Sequence, residues 1–175
     1  MNLLEDIKSK TAEELKETLK EWDIPSFRSG QIFRWLQQGV SSFDEMTNLP
    51  KNLRERLAGR FYIAGASVAR KQVSQIDGTV KYLLRLNDGQ HVECVLMEYH
   101  HGLSICISTQ VGCRMGCTFC ATGKSGYSRN LTASEILSEV QTIQKDAGRR
   151  ISNIVLMGMG EPLDNYDNVL RFLQL

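Results

Sequence analysis

The hydrophobic and polar residues between positions 11 and 60 alternate with the period of an α-helix and predict three short helices. Thr11 and Glu14 form a capping box that opens the first helix. Pro25 and Ser26 open the second helix, and Asn48 and Pro50 open the third. The apolar residues that follow at helical spacing are Leu15, Leu19 and Trp22, then Ile32, Phe33 and Leu36, and then Leu53 and Leu57. This part of the chain is therefore predicted to be a helical unit.

From about residue 66 the hydrophobic period changes to that of a β-strand. Asp77 and Gly78 form one turn sequence, and Asn87 begins another that ends at Gly89. The alternating apolar residues on either side of the second turn are Val80, Tyr82, Leu84 and Leu86, and then Val92, Cys94 and Leu96. The pattern predicts a small antiparallel meander.

The last part of the chain predicts strands and helices in alternation. A strand over residues 103–108 is followed by a helix that Thr132 and Glu135 open with a second capping box. A buried strand is expected over residues 154–157, and an amphipathic segment begins near Asn165. This order is the repeat of a parallel barrel, whose functional loops follow the carboxyl ends of the strands. The predicted fold class is an α+β region followed by the start of an α/β partial (β/α) barrel.

Composition indicates a globular cytoplasmic protein. The chain has 175 residues, of which 42% are hydrophobic and 23% are charged. Its beginning lacks the basic head and apolar run of a signal peptide, and no stretch approaches the roughly 18 apolar residues of a membrane span. Five cysteines in such a chain indicate thiols for metal binding or catalysis, with buried apolar cysteines as the alternative.

The net charge of +1 conceals an uneven distribution of charge. Between residues 103 and 150 basic side chains outnumber acidic ones, which suits an RNA backbone and equally a solvated surface. Arginines on the predicted second helix alternate with aromatic residues, a pattern compatible with phosphate contact and base stacking. The alternative is that the aromatics are core and the arginines are solvated. The residues concerned are Arg114, Lys124, Arg129, Arg149 and Arg150, and on the helix Arg28, Arg34, Phe27, Phe33 and Trp35.

The strongest chemical signal is a glycine-bearing loop that carries Cys113, Cys117 and Cys120. This spacing differs from the paired C-x-x-C of a zinc ribbon. Iron–sulfur clusters are held by cysteine thiolates, four of them for a cubane. Three thiolates on one loop would leave one iron open to bind and cleave a small ligand. The spacing therefore predicts a redox-active iron–sulfur centre.

A second loop, Gly-Met-Gly-Glu-Pro over residues 158–162, follows the second predicted strand of the barrel. Glycines allow close approach of a ligand to the backbone, and the carboxylate of Glu161 could pair with an ammonium group. The alternative is an ordinary strand-to-helix turn. Because both loops follow strand ends, we expect them to lie side by side.

Together these motifs resemble a known family. The cysteine spacing with Phe119 before the last cysteine is similar to the signature of radical S-adenosylmethionine (SAM) enzymes. The sequences around Cys106, around the cysteine loop and over residues 157–163 resemble the RlmN/Cfr group of RNA adenine methyltransferases. Residues 27–36 and 42–50 resemble that group's accessory domain. The resemblance implies a helical accessory domain over residues 1–62, a β meander over 63–102 and the first two βα units of a radical SAM core over 103–175.

The resemblance also implies cofactors and partners. Cys113, Cys117 and Cys120 would hold a [4Fe-4S] cluster, and Gly160 and Glu161 would hold the methionine end of SAM, with Phe119 beside the cofactor. The implied substrate is C2 of adenine in 23S ribosomal RNA, with transfer RNA as a second candidate substrate. An electron donor such as flavodoxin or ferredoxin would reduce the cluster, and no membrane is involved.

Two further residues receive roles from the resemblance alone. The implied reaction first methylates a cysteine, activates that methyl group with a second SAM, and adds the carbon to the ring. Glu93 would then remove the ring proton as general base, and Cys106 would release the product by forming a disulfide with the methyl-carrying cysteine. Without the resemblance, Glu93 is equally a solvent-facing strand residue and Cys106 a small buried one.

The same residues are compatible with two other functions. A non-catalytic metal- or RNA-binding remnant would hold zinc on the cysteine loop with Cys106, His91, His100 or His101, and a Cfr-type enzyme would methylate C8. The chain ends at Leu175 in mid-pattern, and in the resembled family the methyl-carrying cysteine lies near the carboxyl terminus of the protein. We therefore expect a truncated product or fragment that does not methylate RNA alone and whose uncovered apolar edge favours association.

Overall fold

The computed structural model describes residues 4–175, and its first part is helical. The three predicted helices are present as α1 (Ala12–Lys20), α2 (Phe27–Gln37) and α3 (Lys51–Ala58). The capping box of Thr11 and Glu14 is confirmed, because each side chain bonds to the other residue's backbone N–H. Short 3-10 turns over Ile7–Ser9 and Phe43–Glu45 complete this unit.

One strand pairing closes the helical unit, and a buried lysine ties that unit to the rest of the chain. β1 (Glu5–Asp6) pairs in parallel with β2 (Phe61–Tyr62), a two-residue pairing too short to have a sequence period. Nearby, the buried ammonium of Lys8 donates to the Ser138 hydroxyl at 2.6 Å and to the Ala64 carbonyl at 3.2 Å. Burial lowers the pKa of Lys8 to about 8, although the Asp6 carboxylate opposes that shift.

A five-stranded sheet forms the centre of the second part. Its strands are β3 (Ala66–Val73), β4 (Val80–Leu86), β5 (His91–Tyr99), β6 (Gly102–Cys106) and β9 (Ile151–Val155), in the order β3-β4-β5-β6-β9. Pairings from β3 to β6 are antiparallel, which confirms the predicted meander, and β9 joins β6 in parallel. The sheet is continuous across residue 102, and the domain limits expected there remain a prediction.

Helix α5 (Ala133–Ala147) connects β6 to β9 and covers one face of the sheet. Its predicted capping box at Thr132 and Glu135 is present, and Gly148 ends it in the left-handed region at φ +62°. α6 (Tyr166–Gln174) follows β9 after a 3-10 turn over Pro162–Asn165. The hydrophobic core between α5 and the sheet includes Tyr82, Leu84, Val92, Leu96, Ile105, Ile136 and Ile143.

The buried strand expected over residues 154–157 is wrong in position and in burial. β9 spans Ile151–Val155 instead, and Ile154 and Val155 are 44% and 37% exposed. The physical reason is that β9 is the edge strand of the sheet, so that apolar side chains remain open on that side. None of the helices within residues 4–175 has the length and apolar content that crossing a membrane requires.

Candidate active site

A short β-hairpin that the sequence did not predict closes the cysteine loop. β7 (Gln110–Gly112) pairs with β8 (Tyr127–Asn130), and α4 (Ala121–Lys124) lies within the loop between them. The Cys113 amide donates to the Gly126 carbonyl at 3.0 Å. A Cβ atom at Gly112, where φ is +78°, would overlap that same carbonyl. Glycine is therefore required where the chain enters the cysteine loop.

All five cysteines lie within the described residues and all are free thiols. On the loop, Cys117 is exposed, while Cys113 and Cys120 are half-buried. Backbone amides of Gly123 and Thr122 lower the pKa of the Cys120 thiol below its ordinary value, because they stabilise the thiolate. Within residues 4–175, the structure does not gather any three His, Cys, Asp or Glu side chains into a metal-binding group.

The donor set of this loop nevertheless fits the expected iron–sulfur cluster. Three thiols are accessible, unpaired and carried by one loop closed at its base, and thiolate sulfur is the ligand that such clusters use. The neighbouring Phe119 is 91% exposed, so the described structure places no core contact on it. The loop thus offers three thiols as candidate ligands, and their side chains would have to converge on binding.

The second loop packs directly on the segment that leads into the cysteine loop, as the sequence predicted. The Gly158 amide donates to the Ile107 carbonyl at 2.9 Å, and the Met159 carbonyl accepts the Thr109 amide at 2.8 Å. A Cβ at Gly158 would lie 2.6 Å from the Ile107 oxygen, and one at Gly160, with φ +97°, would lie 2.6 Å from the Gln110 Cβ. These glycines are required by contact between the two loops of the protein itself.

Glu161 and Asp164 have different tasks at this junction. Glu161 Oε1 accepts the Leu163 amide at 3.0 Å and so caps the 3-10 turn. Asp164 receives two guanidinium N–H groups from Arg114, at 2.6 and 2.8 Å, and the Gln110 amide at 2.7 Å. The hydrogen bonds from Arg114, and to a smaller extent the one from Gln110, hold the pKa of Asp164 below its usual range. Asp164, which sequence reasoning missed, therefore fastens the second loop to the cysteine loop.

Glu93 and Cys106 share the sheet face that α5 leaves open. Cys106 lies opposite Val95 of β5, and Val95 is two residues from Glu93. Cys106 and Glu93 are therefore about 7 Å apart along the strand direction. Lys81 forms an ion pair with Glu93 at 2.7 Å. Burial raises the pKa of the Cys106 thiol above its ordinary value, and a hydrogen bond from the Met157 backbone opposes that shift.

Comparisons with known proteins agree along the chain. Residues 2–63 match the family model "Ribosomal RNA large subunit methyltransferase N-terminal domain", and residues 107–175 match "Radical SAM superfamily". A "Probable dual-specificity RNA methyltransferase RlmN" from Alkaliphilus oremlandii is 54% identical over 97% of this chain and 50% of its own length. The chain belongs to the RlmN family of radical SAM proteins.

Other relatives of the RlmN family give the same result. A protein of the same name from Clostridium perfringens is 57% identical over 94% of this chain and 48% of its own length. The crystal structure of a radical SAM methyltransferase from Sphaerobacter thermophilus matches with a TM-score of 0.86 and 43% identity, covering 97% of this chain and 51% of that one. The fold class predicted from the sequence is confirmed, and the chain spans about half the length of the relatives it matches.

Behind the two loops, one buried serine joins three elements of this RlmN-family fold. The Ser108 hydroxyl donates to the Glu93 carbonyl at 2.7 Å and accepts the Met159 amide at 2.9 Å. The Ser108 amide donates to the Glu139 carboxylate on α5 at 3.0 Å. The strand that carries Glu93, the second loop and α5 are therefore held at one point.

Glu139 is a fully buried carboxyl group that the sequence did not mark as unusual. Its Oε2 also accepts the Cys94 thiol at 2.7 Å, and its Oε1 has no hydrogen-bond partner among the described residues. Burial raises the pKa of Glu139 to about 8, with the nearby Glu135 acting in the same direction. The only sequence signal was a glutamate at a position of α5 that the helical period assigns to the core.

Replacing Glu139→Gln is expected to change how stability depends on pH. In the folded protein the Glu139 carboxyl group keeps its proton up to about pH 8. In the unfolded chain the same group loses its proton near pH 4.5. The free energy of unfolding of the parent should therefore fall as pH rises from 4.5 to 8, by up to about 1.4 kcal/mol per pH unit. Between pH 5 and pH 8 the Tm of Glu139→Gln should change less with pH than the Tm of the parent. At pH 8 the Tm of the variant should be the higher of the two. Replacement of the exposed Glu17 by glutamine is the control, and equal profiles for parent and Glu139→Gln would contradict the prediction.

The three histidines that the sequence offered as zinc ligands do not lie together. His100 and His101 lie in the turn before β6, at the opposite end of that strand from Cys106, so they are not neighbours of the cysteine loop. His91 lies at the loop end of β5. These positions do not favour the zinc alternative that combines the loop with His100 or His101.

The aromatic residues on α2 divide between the two expected roles. Phe33 and Trp35 pack against the helical core, and the Trp35 indole N–H donates to the Asn48 side chain at 2.6 Å. Phe27 is 59% exposed, with the Arg28 guanidinium 4.8 Å from its ring centre. Phe27 is thus the exposed aromatic residue of this helix, and the half-buried Arg28 beside it donates to the Gln31 side chain and the Asn48 carbonyl.

Proposed function

We propose that this chain carries the cluster-binding and SAM-binding part of an RlmN-type methyltransferase that modifies C2 of adenine. The observation that supports the proposal best is the packing of residues 158–161 on residues 107–110. This contact brings the second loop beside three accessible cysteines, at the end of the strands that carry Glu93 and Cys106. The relatives of this chain are named dual-specificity RNA methyltransferases, so 23S ribosomal RNA and transfer RNA are the proposed substrates.

The residues proposed to bind the cofactors lie on the cysteine loop and on the second loop. Cys113, Cys117 and Cys120 would hold a [4Fe-4S] cluster, and Gly160 and Glu161 would bind SAM, with the exposed Phe119 beside it. When bound, the cluster and SAM supply the radical chemistry that a polar methyl transfer cannot provide at an aromatic C–H position. A flavodoxin- or ferredoxin-like protein is the proposed electron donor, and the cytoplasm the proposed location.

The protein's own residues would then move a proton and release the product. Glu93 lies on the open sheet face, where its carboxylate can accept the proton of the ring carbon. Cys106 is on the same face and retains a free thiol that can form a disulfide with the methyl-carrying cysteine. In the resembled family that cysteine lies in a part of the longer protein that this chain does not span. Methyl transfer is therefore a property we propose for the whole protein, and SAM binding a property we propose for this chain.

Anaerobic reconstitution of the 175-residue protein with iron and sulfide tests the proposal. After reduction, electron paramagnetic resonance should show a cubane signal, and SAM should change that signal because it would bind the open iron. The Met115→Leu variant is a control, because it changes an exposed side chain of the same loop and leaves all three thiols in place. Tetrahedral zinc without a cubane would support the non-catalytic alternative instead, and a cubane that does not respond to SAM would contradict the proposed SAM site.

A further inference from the structure

The sheet face that α5 leaves open carries an excess of positive charge around Glu93. Register pairs show which side chains share this face: Arg70 lies opposite Leu83, Leu83 opposite Glu93, and Arg85 opposite His91. The Lys81–Glu93 ion pair confirms that Lys81 belongs to the same face. We call this the open face, and its side chains on β3, β4 and β5 include Arg70, Lys81, Leu83, Arg85, His91 and Glu93.

Two arginines of the open face have no internal partner. Lys81 is engaged by Glu93, which is the only carboxylate at an open-face position of β3, β4 and β5. Arg70 and Arg85 are exposed and form neither a hydrogen bond nor an ion pair with any side chain among residues 4–175. They occupy diagonal positions on adjacent strands, where side chains are about 7–8 Å apart. Two unpaired guanidinium groups this close favour an anionic partner that binds both.

The arginines also lie at the loop end of the sheet. Because β5 and β6 are antiparallel, the pair of Arg85 and His91 lies nearest the loops, and the pair of Leu83 and Glu93 comes next. Cys106 follows one further step along the strands, about 7 Å on. An anion bound by Arg70 and Arg85 would therefore lie over β3 and β4, within about 10 Å of the proposed proton acceptor on β5.

We propose that Arg70 and Arg85 bind two backbone phosphates of the RNA strand that carries the target adenine, and so hold the base over Glu93 and Cys106. This inference rests on the proposed function and adds positioning residues for its substrate. Guanidinium groups bind phosphate through two parallel hydrogen bonds, and the half-exposed Leu83 between them offers an apolar surface to a base or ribose. Single-stranded RNA with a splayed-out base is the form that such a surface can receive.

Fluorescence anisotropy with a labelled hairpin RNA that has an adenine in its loop tests this inference. Arg70→Gln and Arg85→Gln should each weaken binding about tenfold and lower the slope of log K against log salt by about 0.7. Arg150→Gln is the matched control, because Arg150 is exposed, has no ion-pair partner among residues 4–175, and lies at the opposite end of β9 from the loops. Arg70→Lys and Arg85→Lys should keep the salt slope of the parent but only part of its affinity for RNA. Lysine keeps the positive charge but cannot form the paired hydrogen bonds of a guanidinium group.

The outcomes are separable from those of the cluster experiment, since RNA binding is measured without iron or SAM. Equal affinity and slope for the parent and the Arg70→Gln/Arg85→Gln double variant would overturn the inference, as would an absence of RNA binding by the parent at low salt. Equal competition by a polyglutamate peptide of the same charge would assign the arginines to an acidic protein instead of RNA. Melting temperatures of the variants should match the parent, because both side chains are exposed and form no hydrogen bond or ion pair among residues 4–175.

Discussion

Replacing Cys113, Cys117 or Cys120 by alanine, one at a time, is expected to abolish assembly of the cubane. Two thiolates cannot hold three irons in place, and the loop carries no cysteine besides these three. Iron and acid-labile sulfide should fall from about four per chain to background after anaerobic reconstitution. The visible absorbance of the cluster should be lost together with the metal.

The control for this prediction is Cys94→Ala. Cys94 is buried on the α5 side of the sheet, where its thiol donates to Glu139, and it has no access to the loop. That variant should reconstitute as the parent does. An unchanged iron content in Cys117→Ala, whose thiol is the most exposed of the three, would remove the basis of the proposed function.

Gly160→Ala is expected to give the largest loss of stability of any single methyl addition in the second loop. Its φ of +97° disfavours an L-residue, and the added Cβ would lie 2.6 Å from the Cβ of Gln110. Backbone strain and overlap together should lower the free energy of unfolding by about 2–4 kcal/mol. Chemical denaturation measures the change, and a separate titration with SAM after reconstitution should show that the cofactor binds more weakly.

Two other glycines separate the causes of that loss. Gly148→Ala has a left-handed φ of +62° but open space around its Cβ, so it should lose only about 1 kcal/mol. Gly30→Ala lies within α2 in open space and should gain about 0.5–1 kcal/mol. If Gly160→Ala costs no more than Gly148→Ala, the close packing on Gln110 is not what requires glycine there.

The family of this protein and its local elements could be predicted from local sequence. Helix starts at Thr11 and Thr132 depend on residues three positions apart, and the meander depends on alternation within single strands. Cysteine spacing is likewise a property of one loop, and the comparisons confirm the radical SAM family that this spacing suggested. Domain limits and the roles of Glu93, Cys106, Gly160 and Glu161 remain predictions.

Contacts between distant segments were decided only by the tertiary structure. β9 was expected to be buried because its residues are apolar, but its place at the sheet edge leaves Ile154 and Val155 exposed. Gly158 and Gly160 looked like ligand-binding glycines, yet their nearest neighbours are Ile107 and Gln110, about 50 residues earlier in the sequence. Such requirements come from backbone packing across the fold, which no local pattern records.

The buried polar centre shows the same limit most clearly. Glu139 has the sequence context of any helical glutamate, and only the packing of α5 on the sheet removes it from water and brings it to Ser108 and Cys94. Residue type and spacing therefore determined which chemistry this protein has available, because thiolates, caps and turns act over a few residues. Tertiary structure decided which groups meet and which are desolvated, because burial and strand register depend on segments that are far apart in the chain.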